Sequence, residues 1–146
     1  MNPAAQLAVI GVISVAAAGG SWLMKGPPKE VVFKCDPKLI RKDEICLGDV
    51  NGNVLWVDAR SRSEWKKNGL AGSILWNMDP KEDDMAFESE AAARVFAAEL
   101  VVVYCGSEAC GTSRQIAERI RNLNLGPPVK VLFGGWDAIK SSGKEP

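Results

Sequence analysis

The sequence has 146 residues, a length that suits one domain with an appended segment rather than two independent hydrophobic cores. Lysine plus arginine and aspartate plus glutamate number 18 each, so no excess of positive charge favours nucleic acid as a partner. The chain contains no histidine, which excludes a Ser-His-Asp triad, a Cys-His protease pair and the histidine-containing zinc sites. We predict neither a metal nor a cofactor.

An uncharged apolar segment covers residues 4–24, with only three polar side chains in it. A helix of that length rises about 30 Å, which is enough to cross the hydrocarbon core of a bilayer. We therefore predict one transmembrane helix that anchors the protein to a membrane through residues 1–25. Residues 26–30 begin with Gly-Pro-Pro, which breaks a helix, and are predicted to be a linker.

The flanks of the apolar segment suggest which side of the membrane the rest of the chain occupies. Basic residues follow the segment and none precedes it, so the positive-inside tendency predicts that the domain in residues 31–146 is cytoplasmic. The small residues 16–18 would instead suit a cleaved signal peptide and an exported domain, although the usual positive region at the start is missing. A buried helix of a soluble protein is the third alternative.

Short apolar runs alternate with segments of helical pattern along residues 31–146. The runs predicted to be strands are residues 31–33, 54–57, 73–76, 100–104 and 129–133. The segments predicted to be helices are residues 37–47, a short helix opening near Ser61, residues 89–98, a helix from Thr112 or Ser113, and a closing helix after Gly135. This alternation predicts an α/β domain with a mostly parallel central sheet flanked by helices.

Cys105 is the strongest candidate for a catalytic residue. It follows the predicted central strand, at the sheet edge where parallel α/β proteins hold their sites, and a glycine-containing loop leads from it into a helix. The N–H groups of such a loop and the helix dipole behind it favour an anion, and therefore the nucleophilic thiolate. The alternative is a small buried side chain that simply ends a strand.

Further site residues are predicted in the loop and at two other places. The loop residues expected to bind the substrate are Gly106, Ser107, Glu108, Ala109, Cys110, Gly111 and Thr112. Asp58 and Arg60 follow another strand and are expected to form a structural pair, with Arg60 less suited to face the substrate. Arg114 is expected on a helix surface, and bidentate contact with an anionic donor is the alternative.

The remaining cysteines raise the question of disulfides. Cys110, five residues after Cys105, would resolve a persulfide or a sulfenic acid on Cys105 by forming a disulfide, unless it merely packs at the helix start. Cys35 and Cys46 are expected to be two unrelated core thiols, because their pairing would need an oxidising compartment.

Several short segments occur in the order and spacing of a known family. They are VDARS at residues 57–61, EW at 64–65, GLAGSI at 69–74, VYCG at 103–106, LFGGW at 132–136, and Gly143. Together they resemble the signature segments of rhodanese-like domains and cover nearly all of residues 31–146. The resemblance implies a three-layer rhodanese-like fold and a sulfurtransferase, in which Cys105 takes sulfur from a sulfane donor such as thiosulfate. The persulfide then passes its sulfur to a thiol or a protein acceptor.

The chain departs from the usual pattern of that family in two places. Leu70 stands where a histidine usually follows the glycine, and Gly106 stands where an arginine commonly follows the cysteine. A Cys-x5-Arg phosphatase loop would need arginine at Gly111, so phosphatase or arsenate-reductase activity of that type is not expected. A non-catalytic rhodanese-like docking module and a thiol redox switch built on Cys105 and Cys110 remain alternative functions.

Overall fold

The computed structural model describes residues 34–107 and 111–144, which belong to one compact unit, Val32–Pro146. Five strands form one sheet in which every neighbouring pair is parallel. The strands are β1 (Glu44–Ile45), β2 (Val54–Asp58), β3 (Ile74–Leu75), β4 (Leu100–Tyr104) and β5 (Val129–Leu132). Their order across the sheet is β1-β5-β4-β2-β3, so β4 is the central strand.

Four α-helices and one 3-10 turn accompany the sheet in the described residues. They are α1 (Arg62–Asn68), α2 (Asp84–Val95), α3 (Thr112–Asn122), α4 (Gly135–Ser141) and the 3-10 turn Leu47–Asp49. Helices α2 and α3 pack on one face of the sheet, and α4 and the 3-10 turn pack on the other. The predicted α/β fold with a parallel sheet between two helical layers is therefore confirmed.

The sequence of β4 explains its central place. Val101, Val102 and Val103 are completely buried, and Tyr104 after them is buried as well. A strand inside a parallel sheet has apolar layers on both faces, so a continuous β-branched run is stable there. The alternation of side chains sends Val101 and Val103 toward α2 and α3, and Val102 and Tyr104 toward α4.

Helix α1 has a capping box at its start, directly after the end of β2. The Ser61 side chain accepts from the Glu64 backbone N–H, and the Glu64 carboxylate accepts from the Ser61 backbone N–H. The hydrogen bond from the Ser61 hydroxyl lowers the pKa of the Glu64 carboxyl. The capping box thus satisfies two backbone N–H groups that would otherwise lack a partner. The helix therefore begins next to Ser61, as expected from the sequence.

The prediction of a helix over residues 37–47 is wrong. The segment contains turns, the strand β1 and the start of the 3-10 turn. Two of its backbone carbonyls accept hydrogen bonds from the edge of the sheet: Val131 N–H donates to Asp43 O at 2.8 Å, and Phe133 N–H donates to Ile45 O at 3.0 Å. Asp36 caps only a single turn, through its side chain and Lys38 N–H at 2.9 Å.

The expectation of two unrelated core thiols at Cys35 and Cys46 is also wrong. The two residues form a disulfide, with their Cα atoms 5.8 Å apart and a sequence separation of 11. Cys46 directly follows β1, so the bond fastens the incoming chain to the edge of the sheet. A loop of this size is expected to contribute about 2–3 kcal/mol to stability by restricting the unfolded chain.

Other elements differ in their limits. Helix α2 begins at Asp84, earlier than the predicted residue 89, because the Asp83 side chain accepts from Ala86 N–H at 3.1 Å and caps it. The strand expected at 31–33, the anchor in 1–25 and the linker in 26–30 lie outside the described residues. Among the helices of residues 34–107 and 111–144, none is long and apolar enough to cross a membrane.

Candidate active site

Cys105 lies immediately after β4, at the carboxyl edge of the sheet. Its side chain is 4% exposed and belongs to the apolar cluster on the α2 and α3 face, together with Val103 and Ile116. Its sulfur is bonded in a disulfide in this structure. This sulfur is therefore oxidised in the structure, and nucleophilic chemistry at Cys105 would first require reduction of the disulfide.

Two hydrogen bonds fix the backbone at Cys105. Ala59 N–H, just after β2, donates to Tyr104 O at 2.8 Å, and Trp136 N–H in the first turn of α4 donates to Cys105 O at 2.7 Å. The chain enters α4 through Gly134 and Gly135, with φ angles of 80° and 53°. These interactions hold the end of β4 against the start of α4.

Gly135 allows this close approach. A Cβ atom at position 135 would collide with the carbonyl oxygen of Cys105 and lie 3.4 Å from the Ser107 backbone nitrogen. Glycine is thus required at this position for two reasons, its left-handed backbone and the absence of a side chain. The contact links the closing segment of the domain directly to the predicted loop.

The loop after Cys105 is described at both ends. Gly106 and Ser107 follow the cysteine, and Gly111 precedes the first residue of α3, Thr112. A Cβ atom at Gly106 or at Gly111 would meet no atom within 4 Å, so space does not require glycine at either position. The predicted loop residues Glu108, Ala109 and Cys110 lie outside the described part of the chain.

Asp58 and Arg60 form a buried ion pair beside the end of β4. The Arg60 Nη2 to Asp58 Oδ2 distance is 2.8 Å, and the two side chains are 3% and 0% exposed. Arg60 also donates from its backbone N–H to Asp58 Oδ1 at 2.9 Å. Burial by itself would lower the pKa of Arg60, but the hydrogen bonds and charge of Asp58 outweigh burial and raise it.

Aromatic rings surround the Arg60 guanidinium. Its central carbon lies 3.9 Å from the centre of the Trp136 ring and 5.6 Å from that of Tyr104. Arg60 Nη1 donates to Asn68 Oδ1 at 3.1 Å. Stacking on Trp136 and pairing with Asp58 hold Arg60 as a structural link between β2 and α4.

Tyr104 completes this network from the central strand. Its hydroxyl donates to Asp58 Oδ2 at 2.7 Å and accepts from the Leu70 backbone N–H at 3.3 Å. Burial, followed by the negative charge of Asp58, raises the pKa of the Tyr104 phenol above its ordinary value. Leu70, at the position of the family's usual histidine, therefore contacts the network through its backbone.

Arg114 lies on the first turn of α3 and is directed toward β1. Its Nη2 donates to Glu44 Oε1 at 2.9 Å, and its Nε is 3.5 Å from Asp43 Oδ2. These ion pairs connect α3 with the edge strand. No three Cys, Asp or Glu side chains within the described ranges are grouped so that they could hold a metal ion.

Sequence reasoning did not assign Tyr104 or Trp136 to the neighbourhood of the site. From the sequence, Tyr104 is predicted only to be the last residue of a buried strand, and Trp136 is predicted only to pack in the core or at its edge. Two features of the sequence could have indicated these residues. Side chains alternate along a strand, so Tyr104 lies on the opposite face of the sheet from Cys105. The two glycines before Trp136 favour close contact between backbone segments. The partners themselves come from distant parts of the sequence, so spacing alone does not reveal them.

The ionisation of Tyr104 tests this network, because Tyr104 is the only tyrosine in the chain. Since folding raises its pKa above 10.0, the protonated phenol contributes stability that is fully present below pH 10.0 and is lost as the pH rises through the folded pKa. We expect the ultraviolet absorbance of the phenolate to appear well above pH 10.0 in the folded protein. The same titration in urea should show an ordinary phenol, and a folded protein with that ordinary value would contradict the network.

Gly135 can be compared with Gly143, which also has a positive φ but where a Cβ atom would meet nothing within 4 Å. Gly143→Ala should cost about 1–2 kcal/mol of unfolding free energy, from the backbone conformation alone. Gly135→Ala should cost distinctly more, because it adds the collision with Cys105 O. Urea unfolding of both variants provides the measurement, and equal losses would show that the close approach is unimportant.

Comparison with known proteins identifies the family. The family model described as a rhodanese-like domain matches residues 48–142. A search of curated protein sequences finds no match. The structure of the BH2092 protein from Bacillus halodurans has a TM-score of 0.54 and 21% identity, over 70% of this chain and 75% of the other. This likeness concerns the fold.

Two further solved structures are similar at lower scores. An As/Sb reductase from Leishmania major has a TM-score of 0.49 and 23% identity, over 63% of this chain and 66% of the other. A thiosulfate sulfurtransferase from Pseudomonas aeruginosa has a TM-score of 0.49 and 22% identity, over 70% of this chain and 19% of the other. Because the family model matches well over half of the chain, the protein belongs to the family of rhodanese-like domains.

Proposed function

We propose that this protein is a membrane-tethered sulfurtransferase that carries sulfane sulfur as a persulfide on Cys105. The observation that supports the proposal is the position of this cysteine in a rhodanese-like domain. Cys105 directly follows the central strand, and its carbonyl accepts a hydrogen bond from Trp136 N–H at 2.7 Å. A nucleophile held by a rigid sheet on one side and followed by loop amides on the other suits covalent catalysis.

The first half of the reaction forms the persulfide. The Cys105 thiolate attacks the outer sulfur of thiosulfate, a sulfur–sulfur bond forms, and sulfite leaves with the electron pair of the broken bond. N–H groups of the loop and the N-terminal turn of α3 stabilise the anionic donor. Because the chain has no histidine, ionisation of the thiol depends on this environment and not on an imidazole base.

The second half passes the sulfur to a thiol acceptor. The acceptor's thiolate attacks the outer sulfur of the persulfide, and Cys105 leaves as a thiolate ready for another donor. Arg60 takes no direct part in these steps, since it is paired with Asp58 and stacked on Trp136. Both steps require Cys105 to have been reduced first, because its sulfur is in a disulfide in the structure.

Sulfite release tests the proposed activity. The full-length chain is reduced in detergent, freed of reductant and mixed with excess thiosulfate. We expect about one sulfite per chain, because each Cys105 attacks one donor. Cys105→Ser should release none, and the Cys35→Ser/Cys46→Ser double variant should release as much as the wild type. Absence of sulfite from the wild type would reject the activity and favour a docking module.

The proposal also includes an N-terminal membrane anchor. Residues 4–24 would anchor the chain, and the basic residues after them favour a cytoplasmic domain, whereas a disulfide such as Cys35–Cys46 is more usual in oxidising compartments. A cleaved signal peptide remains the alternative use of these residues.

Membrane extraction distinguishes these possibilities. An anchored chain should keep its N-terminus and stay in the membrane pellet after an alkaline carbonate wash, whereas a variant lacking residues 4–24 should be washed off, because it has lost the apolar span. Protease added to intact spheroplasts should spare a cytoplasmic domain. Release of the intact chain by carbonate would contradict the anchor, and digestion from outside would contradict the cytoplasmic orientation.

A further inference from the structure

We propose that the Cys35–Cys46 disulfide is a redox-controlled latch whose reduction increases access to Cys105. The bond closes the segment that contains β1. Strand β1 holds the first turn of α3 through Arg114, and α3 packs on the face of the sheet where the Cys105 side chain lies. The inference concerns access to this cysteine, so it goes beyond the proposed sulfur transfer and does not depend on it.

Cys35 is the accessible member of the latch. It is partly exposed and lines a cavity of about 360 Å³ together with Leu47 and Phe133, whereas Cys46 is 6% exposed. A dithiol reductant that enters this cavity attacks the Cys35 sulfur with one thiolate, and Cys46 leaves as a thiolate. The second thiol of the reductant then displaces Cys35. Two electrons and two protons pass to the two cysteines, and the reductant becomes a disulfide.

Strand β1 is held by few backbone contacts once the latch is reduced. It has two residues and lies at the edge of the sheet, where Val131 N–H and Phe133 N–H donate to the carbonyls of Asp43 and Ile45. In the oxidised state the bond at Cys46, which directly follows β1, prevents the chain before β1 from separating freely. A closed loop with a sequence separation of 11 restricts the detached segment, so reduction should favour its opening by about 100-fold.

Opening of β1 removes the two carboxylates that hold Arg114. Glu44 Oε1 lies 2.9 Å from Arg114 Nη2, and Asp43 Oδ2 lies 3.5 Å from Arg114 Nε. The Glu44 side chain is only 8% exposed, so this pair is better shielded from water than a surface ion pair. The N-cap residue of α3 is Gly111, which supplies no side-chain cap. The ion pairs with β1 therefore help to fix the start of this helix.

The start of α3 packs beside Cys105. Ser113, in the same turn as Arg114, is 4% exposed, and Ile116 is completely buried in the apolar cluster that includes Cys105. Cys105 is itself 4% exposed, so a reagent reaches its sulfur only when this packing opens. A helix that is no longer held to the edge of the sheet opens more often, which connects the oxidation state of the latch with access to Cys105.

Hydrogen exchange tests the release of β1. The full-length Cys105→Ser/Cys110→Ser chain keeps only the two latch cysteines, so its reduction breaks one bond. Exchange of the Val131 and Phe133 amides is measured by NMR in detergent, before and after reduction by a small dithiol. We expect it to become about 100-fold faster on reduction, because these amides lose their acceptors when the segment around β1 opens.

The internal control is an amide far from the latch. Phe87 N–H donates to Asp83 O at the start of α2, and its exchange should change much less. Equal acceleration at all three amides would mean that the bond stabilises only the domain as a whole. No acceleration at Val131 and Phe133 would mean that β1 is not released. Either result overturns the inference.

Alkylation of Cys105 tests the connection to the site. The Cys110→Ser chain, in which Cys105 is the one cysteine outside the latch, is compared with Cys35→Ser/Cys46→Ser/Cys110→Ser, which has no latch. Labelling of Cys105 by iodoacetamide is followed by peptide mass mapping. We expect labelling to be at least about fivefold faster without the latch, the factor that corresponds to loss of one ion pair.

Two further variants, both with the latch bonded, separate this route from a general loss of stability. Arg114→Gln removes both ion pairs with the segment of β1 and should speed the labelling of Cys105 about fivefold. Arg62→Gln is the matched control, because it removes an ion pair with Glu82 at 2.7 Å that involves neither β1 nor α3. This control should leave the labelling rate unchanged.

The labelling rates can contradict the inference in two ways. Equal rates with and without the latch would show that its oxidation state does not affect access to Cys105. Acceleration that is missing from Arg114→Gln, or that appears equally in Arg62→Gln, would show that Arg114 does not connect β1 with Cys105. Each of these results overturns the inference.

Discussion

The buried carboxylate of Asp58 is the group on which the arrangement of this domain depends. It accepts hydrogen bonds from Arg60 and from Tyr104, at 2.8 Å and 2.7 Å for its Oδ2 atom. Asp58 ends β2, and its hydrogen bond with Tyr104 joins the end of that strand to the end of the adjacent strand β4. A buried pair of this kind gains little over apolar packing, but loss of one partner would leave a charge without compensation, at about 3–5 kcal/mol.

The Asp58–Arg60 pair is connected to Cys105 through Trp136. Arg60 stacks on the indole ring, and the backbone N–H of the same tryptophan holds the Cys105 carbonyl. The catalytic candidate is thus fixed by its backbone, from two directions, while its sulfur faces the apolar layer under α2 and α3. The chain has no histidine, so no imidazole is available to assist this cysteine.

The two oxidised positions have different structural settings. The Cys35–Cys46 bond fastens the edge strand β1, which pairs with β5. Strand β5 in turn leads into Gly134 and Gly135, where the chain contacts Cys105. The first disulfide therefore fastens the edge of the sheet, whereas the second involves Cys105 at the carboxyl end of the central strand.

The sequence by itself determined the alternation of strands and helices, the central place of residues 100–104 and the position of Cys105 at a strand end. These features follow from local patterns, because burial on both faces of a sheet demands a continuous apolar run and capping residues start helices. Recognition of the family followed from the ordered segments around them.

Only the tertiary structure decided which distant residues meet. Residues 37–47 contain good helix signals, yet the edge of β5 offers them backbone hydrogen bonds, and Cys46 is bonded to Cys35. In the same way, Tyr104 bonds to Asp58 and Gly135 packs against the carbonyl of Cys105. These residues are too far apart in the sequence for a short pattern to predict the contacts. Local propensity contributes tenths of a kcal/mol per residue, so pairing and packing between remote segments override it.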